Sequence, residues 1–170
     1  MPFSTAQIEK AFTLIICDTR EKKFEHITEY FKAHNIEYKV QKLDIADYML
    51  EGKTDLVIDR KHNLSEVLQN LCSKDSSRFW REVRNASRGH IKMIVLVESG
   101  SEYKSISDVV KYKDKYSKVS GRRLANEMYR VHIAYGVEWF FCDRRSSGRI
   151  INGILTEGID YYITKVRKRE

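Results

Sequence analysis

The segment 56–61 reads Leu-Val-Ile-Asp-Arg-Lys, an apolar run that ends in three charged residues. A short apolar run of this kind predicts a buried β-strand. Because side chains alternate between the two faces of a strand, Asp59 and Lys61 are expected on one face and Arg60 on the other. The sequence therefore predicts that a carboxylate and an amine lie side by side at the end of a sheet strand.

Strand and helix patterns alternate on both sides of this segment. Apolar runs predict further strands at 12–17, 38–43, 93–97 and 137–142, and a turn is expected near Gly52. Helical spacing of apolar residues predicts helices at 24–34, 64–71, 79–85, 122–135 and 148–166. This succession indicates an α/β layered fold, with a sheet between helices. No linker divides the chain, so we expect a single domain over 1–170 with its core at about 12–166.

The composition is that of an ordinary globular chain, with 42% hydrophobic and 32% charged residues. No apolar run approaches the about 18 residues that a membrane-spanning helix needs. Cys17, Cys72 and Cys142 are widely spaced and form no CxxC pair, which argues against a disulfide framework and a zinc site. We therefore expect a cytoplasmic protein with reduced thiols and no membrane contact.

The formal net charge of +7 favours a polyanionic partner such as nucleic acid, because neutralised phosphates release counterions. Charge alone leaves open that the protein is merely basic. One stretch, 99–123, interleaves basic residues with Tyr103, Tyr112 and Tyr116 and shows no clear period; we call it the basic segment. It is expected to be a mobile loop. It is either a nucleic-acid contact surface or a solvated insertion, and its basic residues are Lys104, Lys111, Lys113, Lys115, Lys118, Arg122 and Arg123.

The charged end of the 56–61 strand has the residue types that hydrolysis of a phosphodiester requires. Mg²⁺ prefers carboxylate oxygens, and a nearby lysine can add positive charge where the phosphate reacts. Asp47, in the turn Leu43-Asp-Ile-Ala-Asp-Tyr48, can reach the same place as Asp59 and Lys61. An acid, a spacer and then acid-x-Lys is the arrangement of the PD-(D/E)xK nuclease superfamily. The alternative is a surface ion pair between Asp59 and Lys61 without chemistry.

Five ordered motifs carry a more specific resemblance. They are Asp18-Thr-Arg-Glu21, the turn 43–48, Val57-Ile-Asp-Arg-Lys61, Ser77-Arg-Phe79 and Ile94-Val-Leu-Val-Glu98. In this order the chain resembles the nuclease domain of the XPF family, structure-specific endonucleases of DNA repair and recombination, and especially its short phage and bacterial members. The resemblance implies a three-layer α/β/α, restriction-endonuclease-like fold with a central mixed sheet.

The resemblance also implies roles for individual residues. Asp47 and Asp59 resemble the metal-binding carboxylates, Lys61 the catalytic lysine, and Asp18 a further acid of the same pocket; the backbone carbonyl of Arg60 is an additional candidate ligand. The implied metal is Mg²⁺, with Mn²⁺ as a substitute. Other family positions are matched by Arg20, Glu21, Arg78 and Glu98. Of these, Glu21 is a candidate catalytic residue, whereas Arg20 and Arg78 either contact DNA or pair with a carboxylate.

The chain departs from the family pattern at three positions. Ala46 replaces a glycine, which matters only if the turn needs a positive φ. Asp59 replaces a glutamate and keeps the carboxylate. Ser65 replaces the last aspartate, although Glu66 follows it. This last change removes a carboxylate that in the family would support the metal ligands or bind a second metal ion.

These features predict a Mg²⁺-dependent endodeoxyribonuclease that acts on branched, flapped or junction DNA, in the host cytoplasm if a phage encodes it. One alternative is a non-cleaving DNA-binding or scaffold module; another is a nuclease for ordinary duplexes. No GxxxxGK[ST] loop is present, so no nucleotide cofactor is expected. Relatives commonly form homodimers, so a homodimer is possible here. The apolar residues near the end of the chain either form such a dimer contact or pack on the sheet of the same chain: Ile150, Ile151, Ile154, Leu155, Ile159 and Tyr162.

Overall fold

The computed structural model describes residues 13–74 and 76–169. Its strands are β1 (Ile15–Cys17), β2 (Tyr38–Val40), β3 (Tyr48–Leu50), β4 (Lys53–Lys61), β5 (Lys92–Glu98) and β6 (Glu138–Cys142). Its α-helices are α1 (Glu25–Ala33), α2 (Leu64–Cys72), α3 (Ser77–Arg88), α4 (Ile106–Val109), α5 (Gly121–Tyr135) and α6 (Ser147–Glu157). A 3-10 turn (Arg144–Ser146) precedes α6, and a π-helical turn (Tyr162–Val166) and a 3-10 turn (Arg167–Arg169) follow it.

The six strands form one mixed sheet in the order β2-β1-β3-β4-β5-β6. β4, β5 and β6 run parallel, while β3 pairs antiparallel with both β1 and β4. In the register of β4 and β5, Asp59 lies beside Val95 and Lys61 beside Val97. The carboxyl ends of the parallel strands therefore meet at one edge of the sheet, where the charged end of β4 lies.

Helices cover both faces of the sheet. Val57 and its neighbours on one face pack with helices α2, α3 and α5, while Ile58 and its neighbours on the other face pack with α1 and α6. Each face has its own buried apolar cluster, because alternate residues of a central strand point to opposite layers. The predicted three-layer α/β/α fold with a mixed central sheet is confirmed.

The main differences from the predicted elements lie at turns. The predicted helix 148–166 is wrong as a single element, because Gly158 adopts φ 85 and ends α6 before the π-helical turn begins. Strand β3 is not among the predicted strands, and only its first residue, Tyr48, belongs to the predicted turn 43–48. The predicted strand 38–43 ends at Val40. Phe12, the first residue of the predicted first strand, lies outside the described residues.

The basic segment contains more structure than a loop. It includes α4 and a bridge between Lys113 and Ser120, and its last residues begin α5. Gly121 allows this arrangement, since a Cβ there would lie 2.3 Å from the carbonyl oxygen of Val109. The expected mobility of the segment stays a prediction. Among the described helices, none has the length and apolar character that crossing a bilayer requires.

Candidate active site

A cleft of about 330 Å³ opens at the charged end of β4; we call it the active cleft. It brings together the predicted residues Asp47, from the turn before β3, and Asp59 and Lys61, from β4. The full lining comprises Arg20, Glu21, Lys22, Asp47, Asp59, Arg60, Lys61, His62, Glu66, Asn70, Ser76, Arg78, Phe79 and Glu82. Residues far apart in the chain therefore meet around the predicted acid-x-Lys motif.

Asp47 is fixed by the turn that leads into β3. Its backbone amide donates to the carbonyl of Ile58 (3.0 Å), and its Oδ2 accepts from the amide of Arg60 (2.8 Å). The preceding Ala46 adopts φ 61, the left-handed region that favours glycine. The turn thus needs the conformation that glycine supplies in the family. Ala46 adopts it at a conformational cost of about 1–2 kcal/mol.

Asp59 and Lys61 lie on the same face of β4, as strand alternation predicts. Lys61 Nζ lies 2.7 Å from Asp59 Oδ2, although the contact lacks hydrogen-bond angles, and 5.2 Å from the centre of the Phe79 ring. Asp59 is 3% exposed and Lys61 7% exposed. The pair therefore does not lie at the surface, since both side chains are withdrawn from bulk water.

Nearby positive charge does not fully offset the burial of the two carboxylates, Asp47 and Asp59, in the active cleft. Burial, and then repulsion from Asp59 and Glu21, raises the pKa of Asp47 well above its usual range. Burial also raises the pKa of Asp59 to about 6, although Lys61 acts in the opposite direction. Burial works to lower the pKa of Lys61, but Asp59 and Asp47 outweigh it and the pKa is raised. Lys61 therefore keeps its proton at neutral pH and serves as a fixed positive charge.

The side chain of Arg60 lies on the opposite face of β4 from Asp59 and Lys61, where it forms two ion pairs. Its guanidinium donates to Glu21 Oε1 (2.8 Å) and to Glu98 Oε1 (3.0 Å). Glu98 also accepts from Ser147 (2.6 Å), and its Oε1 lies 2.7 Å from His26 Nε2. Burial acts to raise the pKa of Glu98, but these partners lower it below its ordinary value. Glu21 and Glu98 thus act on the fold by fixing Arg60 within β4.

Asp18 does not line the active cleft. Its Oδ2 accepts from Arg20 Nε (2.6 Å) and its Oδ1 from the amide of Leu43 (2.8 Å), and the side chain is fully buried. Arg20 also donates to the carbonyl of Leu43 (2.7 Å). These bonds tie the end of β1 to the turn that holds Asp47. Asp18 therefore supports the site through the backbone.

The strand pattern did not predict the positions of two further residues of the active cleft, Glu82 and Glu66. Glu82 of α3 is buried, accepts from Arg78 Nε (3.0 Å) and contacts the amide of Ala46 (3.4 Å). Glu66 accepts from the amide of His62 (2.8 Å). The i,i+4 spacing of Arg78 and Glu82 could have indicated their pairing. No sequence signal places Glu82 against Ala46.

Ser65 helps to hold the basic segment in place through Asp114. Its hydroxyl, the amides of Tyr116 and Ser117 and the hydroxyl of Tyr112 bind Asp114, and together they lower the pKa of Asp114 to about 2. The family's last aspartate is thus replaced by a residue that secures the loop beside α2. All seven basic residues predicted to contact DNA from this segment are exposed: Lys104, Lys111, Lys113, Lys115, Lys118, Arg122 and Arg123.

A divalent cation fits the donor set of the active cleft. Asp47 and Asp59 offer hard carboxylate oxygens, and among residues 13–74 and 76–169 Asp47 forms no ion pair with a side chain. No group of three or more His, Cys, Asp or Glu side chains within these ranges has the arrangement of a metal site. Mg²⁺ suits so small a set, since it is commonly held by one or two carboxylates and water.

Comparisons with known proteins give a consistent result. A family model described as "ERCC4 domain" matches residues 17–167. The fold is similar to XPF from Aeropyrum pernix, with a TM-score of 0.64 and 15% identity over 92% of this chain and 69% of that one. The same protein in a complex with DNA matches with a TM-score of 0.65 and 15% identity, over 91% and 69%. No curated protein matches the sequence.

Proposed function

We propose that this chain, which belongs to the ERCC4 domain family and is an XPF-type nuclease domain, is a metal-dependent endonuclease for branched, flapped or junction DNA. The observation that carries the proposal is the buried pairing of Asp59 with Lys61 beside Asp47. Charges withdrawn from water interact strongly with a reacting phosphate. The basic surface and the likeness to a DNA-bound structure support DNA as the substrate.

The metal would be held by the carboxylates of Asp47 and Asp59, with the backbone carbonyl of Arg60 as a further oxygen. When bound, Mg²⁺ would supply Lewis acidity and lower the pKa of a coordinated water molecule. Lys61 contributes positive charge for the phosphate oxygens as negative charge builds up on them in the transition state. Because its proton is retained at neutral pH, Lys61 acts as an electrostatic group rather than as a base.

The remaining cleft residues have positioning roles in this proposal. Glu21 and Arg60 brace β4, so that Asp59 and Lys61 keep their common face. Arg20 and Arg78 lie on the rim, where each is paired with a carboxylate yet keeps more than a third of its side chain exposed. This exposure allows both to contact a phosphate of the bound strand. Catalysis by Glu21 itself is not part of the proposal, since Arg60 engages both of its oxygens.

The test is a cleavage panel of labelled flap, fork, four-way junction and linear duplex DNA with Mg²⁺ or Mn²⁺. We expect the wild type to cut a branched substrate in preference to the duplex. Asp47→Asn and Lys61→Ala should each lower the rate about 10³-fold. Matched controls are Asp55→Asn and Lys53→Ala, exposed positions on the same strand, which should cut like the wild type.

The outcomes separate the candidate functions. Cleavage that survives Asp47→Asn and Lys61→Ala contradicts the proposed site. Cleavage of the linear duplex as fast as the branched substrates indicates a nuclease for ordinary DNA. Binding to DNA without cleavage under any condition supports the second candidate, a DNA-binding or scaffold module. The observation that favours this second candidate is Ser65, which occupies a family aspartate position and binds Asp114 instead.

A further inference from the structure

A second groove, of about 540 Å³, opens beside the active cleft; we call it the side groove. Both are lined by Lys22, His62 and Glu66, so one continues into the other. The remaining lining of the side groove consists of Lys23, Asn63, Ser65, Gln69 and Arg144. A polymer bound across the active cleft would meet this groove immediately after the reacting unit.

The side groove carries cations without internal partners. Among the described residues, no carboxylate lies within ion-pair distance of Lys22, Lys23 or Arg144. In contrast, the active cleft pairs Arg60, Lys61 and Arg78 with acids. The side groove's own carboxylate, Glu66, accepts from the amide of His62. Three cations against one carboxylate leave this groove positively charged and suited to a polyanion.

The wall of the side groove is held rigidly from within. Arg60 Nη2 donates to the carbonyl oxygens of Lys22 (2.8 Å) and Lys23 (3.4 Å), which turns these carbonyls inward. Lys23 adopts φ 53, a region that non-glycine residues occupy at a cost. The buried guanidinium stabilises this conformation. One side chain, Arg60, therefore braces the catalytic strand and the lysine turn together.

Arg144 reaches the side groove from the end of β6, the edge strand of the sheet. It begins the 3-10 turn after β6, which is capped by Asp143, whose Oδ1 accepts from the amides of Arg145 (2.8 Å) and Ser146 (3.1 Å). Arg144 and the lysine turn are thus separate in the sequence and fixed by separate hydrogen bonds. Their meeting at the same groove is a property of the fold.

We propose that the side groove binds the phosphate backbone of the substrate strand on one side of the scissile bond, with Lys23 and Arg144 as phosphate contacts. The inference rests on the proposed function for the identity of the ligand as DNA. Backbone contacts of this kind position a strand without reading its sequence. The side groove would therefore fix the path of the strand and the place of the cut.

The test compares Lys23→Gln/Arg144→Gln with the control Lys32→Gln/Arg145→Gln, which removes two exposed cations outside both grooves. Dissociation constants for fluorescent single-stranded tails are measured by anisotropy in EDTA, so that binding is read without cleavage. We expect the side-groove variant to bind about tenfold more weakly and the control to bind like the wild type. Its plot of log K against log salt should be shallower by about 1.4, for two lost phosphate contacts on a single strand.

A truncation series locates the contacts. The labelled strand is shortened one nucleotide at a time from its 5′ side, and in a second series from its 3′ side. We expect the affinity difference between wild type and variant to disappear in one series alone. An unchanged difference in both series, or an equal loss in the control variant, overturns the proposal. A wild type that binds but never cuts contradicts the proposed function, while the binding series still decides whether the side groove is used.

Discussion

The active cleft and the basic segment both concentrate charge, but they hold it in different ways. At the cleft, Asp59, Arg60 and Lys61 are each less than a tenth exposed, and each has an oppositely charged partner. In the basic segment the lysines and arginines are exposed. Buried charges are costly to unpair, whereas exposed charges are exchangeable and sensitive to salt. Position in the fold thus divides the charges of one basic protein into buried, paired groups at the active cleft and exposed groups in the basic segment.

The largest change is expected when the buried charge of Arg60 is removed. Arg60→Met removes the guanidinium that faces Glu21 and Glu98, and both carboxylates stay buried without it. We expect the free energy of unfolding to fall by about 3–5 kcal/mol. The control Arg122→Met, at an exposed position of α5, should change it by less than about 0.5 kcal/mol. Urea unfolding measures both, and similar losses for the two variants would contradict the distinction.

The next largest effect is expected from a conservative exchange of lysine for arginine in the active cleft. Lys61 Nζ lies 2.7 Å from Asp59 Oδ2 and 5.2 Å from the centre of the Phe79 ring, and a planar guanidinium on a longer side chain would carry its charge beyond this point. We expect Lys61→Arg to lower the cleavage rate about 10²-fold, because the charge is displaced from its place. Lys115→Arg, on the exposed surface, should leave the rate unchanged. Single-turnover cleavage measures both; full activity of Lys61→Arg would show that the geometry of the charge is unimportant.

The tyrosines of the basic segment should also differ in their effect on DNA binding, because one is exposed and the other two are packed. Tyr116 is 85% exposed, with Lys115 Nζ 5.2 Å from the centre of its ring. Tyr103 and Tyr112 instead pack edge to face at 5.8 Å against the core. We expect Tyr116→Ala to weaken binding to DNA with unpaired bases by about fivefold or more, through lost stacking. The affinity of Tyr116→Ala for fully paired duplex should equal that of the wild type. The control Tyr129→Ala should bind both kinds of DNA like the wild type.

The smallest effect concerns pH and the anchor of the basic segment. Ser65 and backbone amides lower the pKa of Asp114 to about 2, from an ordinary value of 3.8. Ionised Asp114 therefore stabilises the folded basic segment at pH values above its unfolded-state pKa. This stabilisation is lost as the pH falls through about 2. We expect the amide resonances of Tyr116 and Ser117 to shift with a midpoint near this pH and to stay constant from pH 5 to 8. A midpoint near 4 in the NMR titration would show that the anchor is not formed.

The fold class and the charged residues at the end of β4 could be predicted from the sequence alone. Apolar runs with abrupt charged ends predict buried strands, and alternation alone places Asp59 and Lys61 together, away from Arg60. The order of the motifs also identified the XPF family. These features are local or periodic, so they can be read without knowing which elements are neighbours in space.

The tertiary structure, in contrast, is needed to know how these elements surround the active cleft. It directed Asp18 toward Arg20 and Leu43, away from the active cleft, brought Glu82 against Ala46, and showed that the turn at Ala46 needs a positive φ. It also separated exposed Tyr116 from its packed neighbours. Periodicity specifies the face that a side chain occupies, whereas the distance to a residue of another element depends on the packing of helices against the sheet.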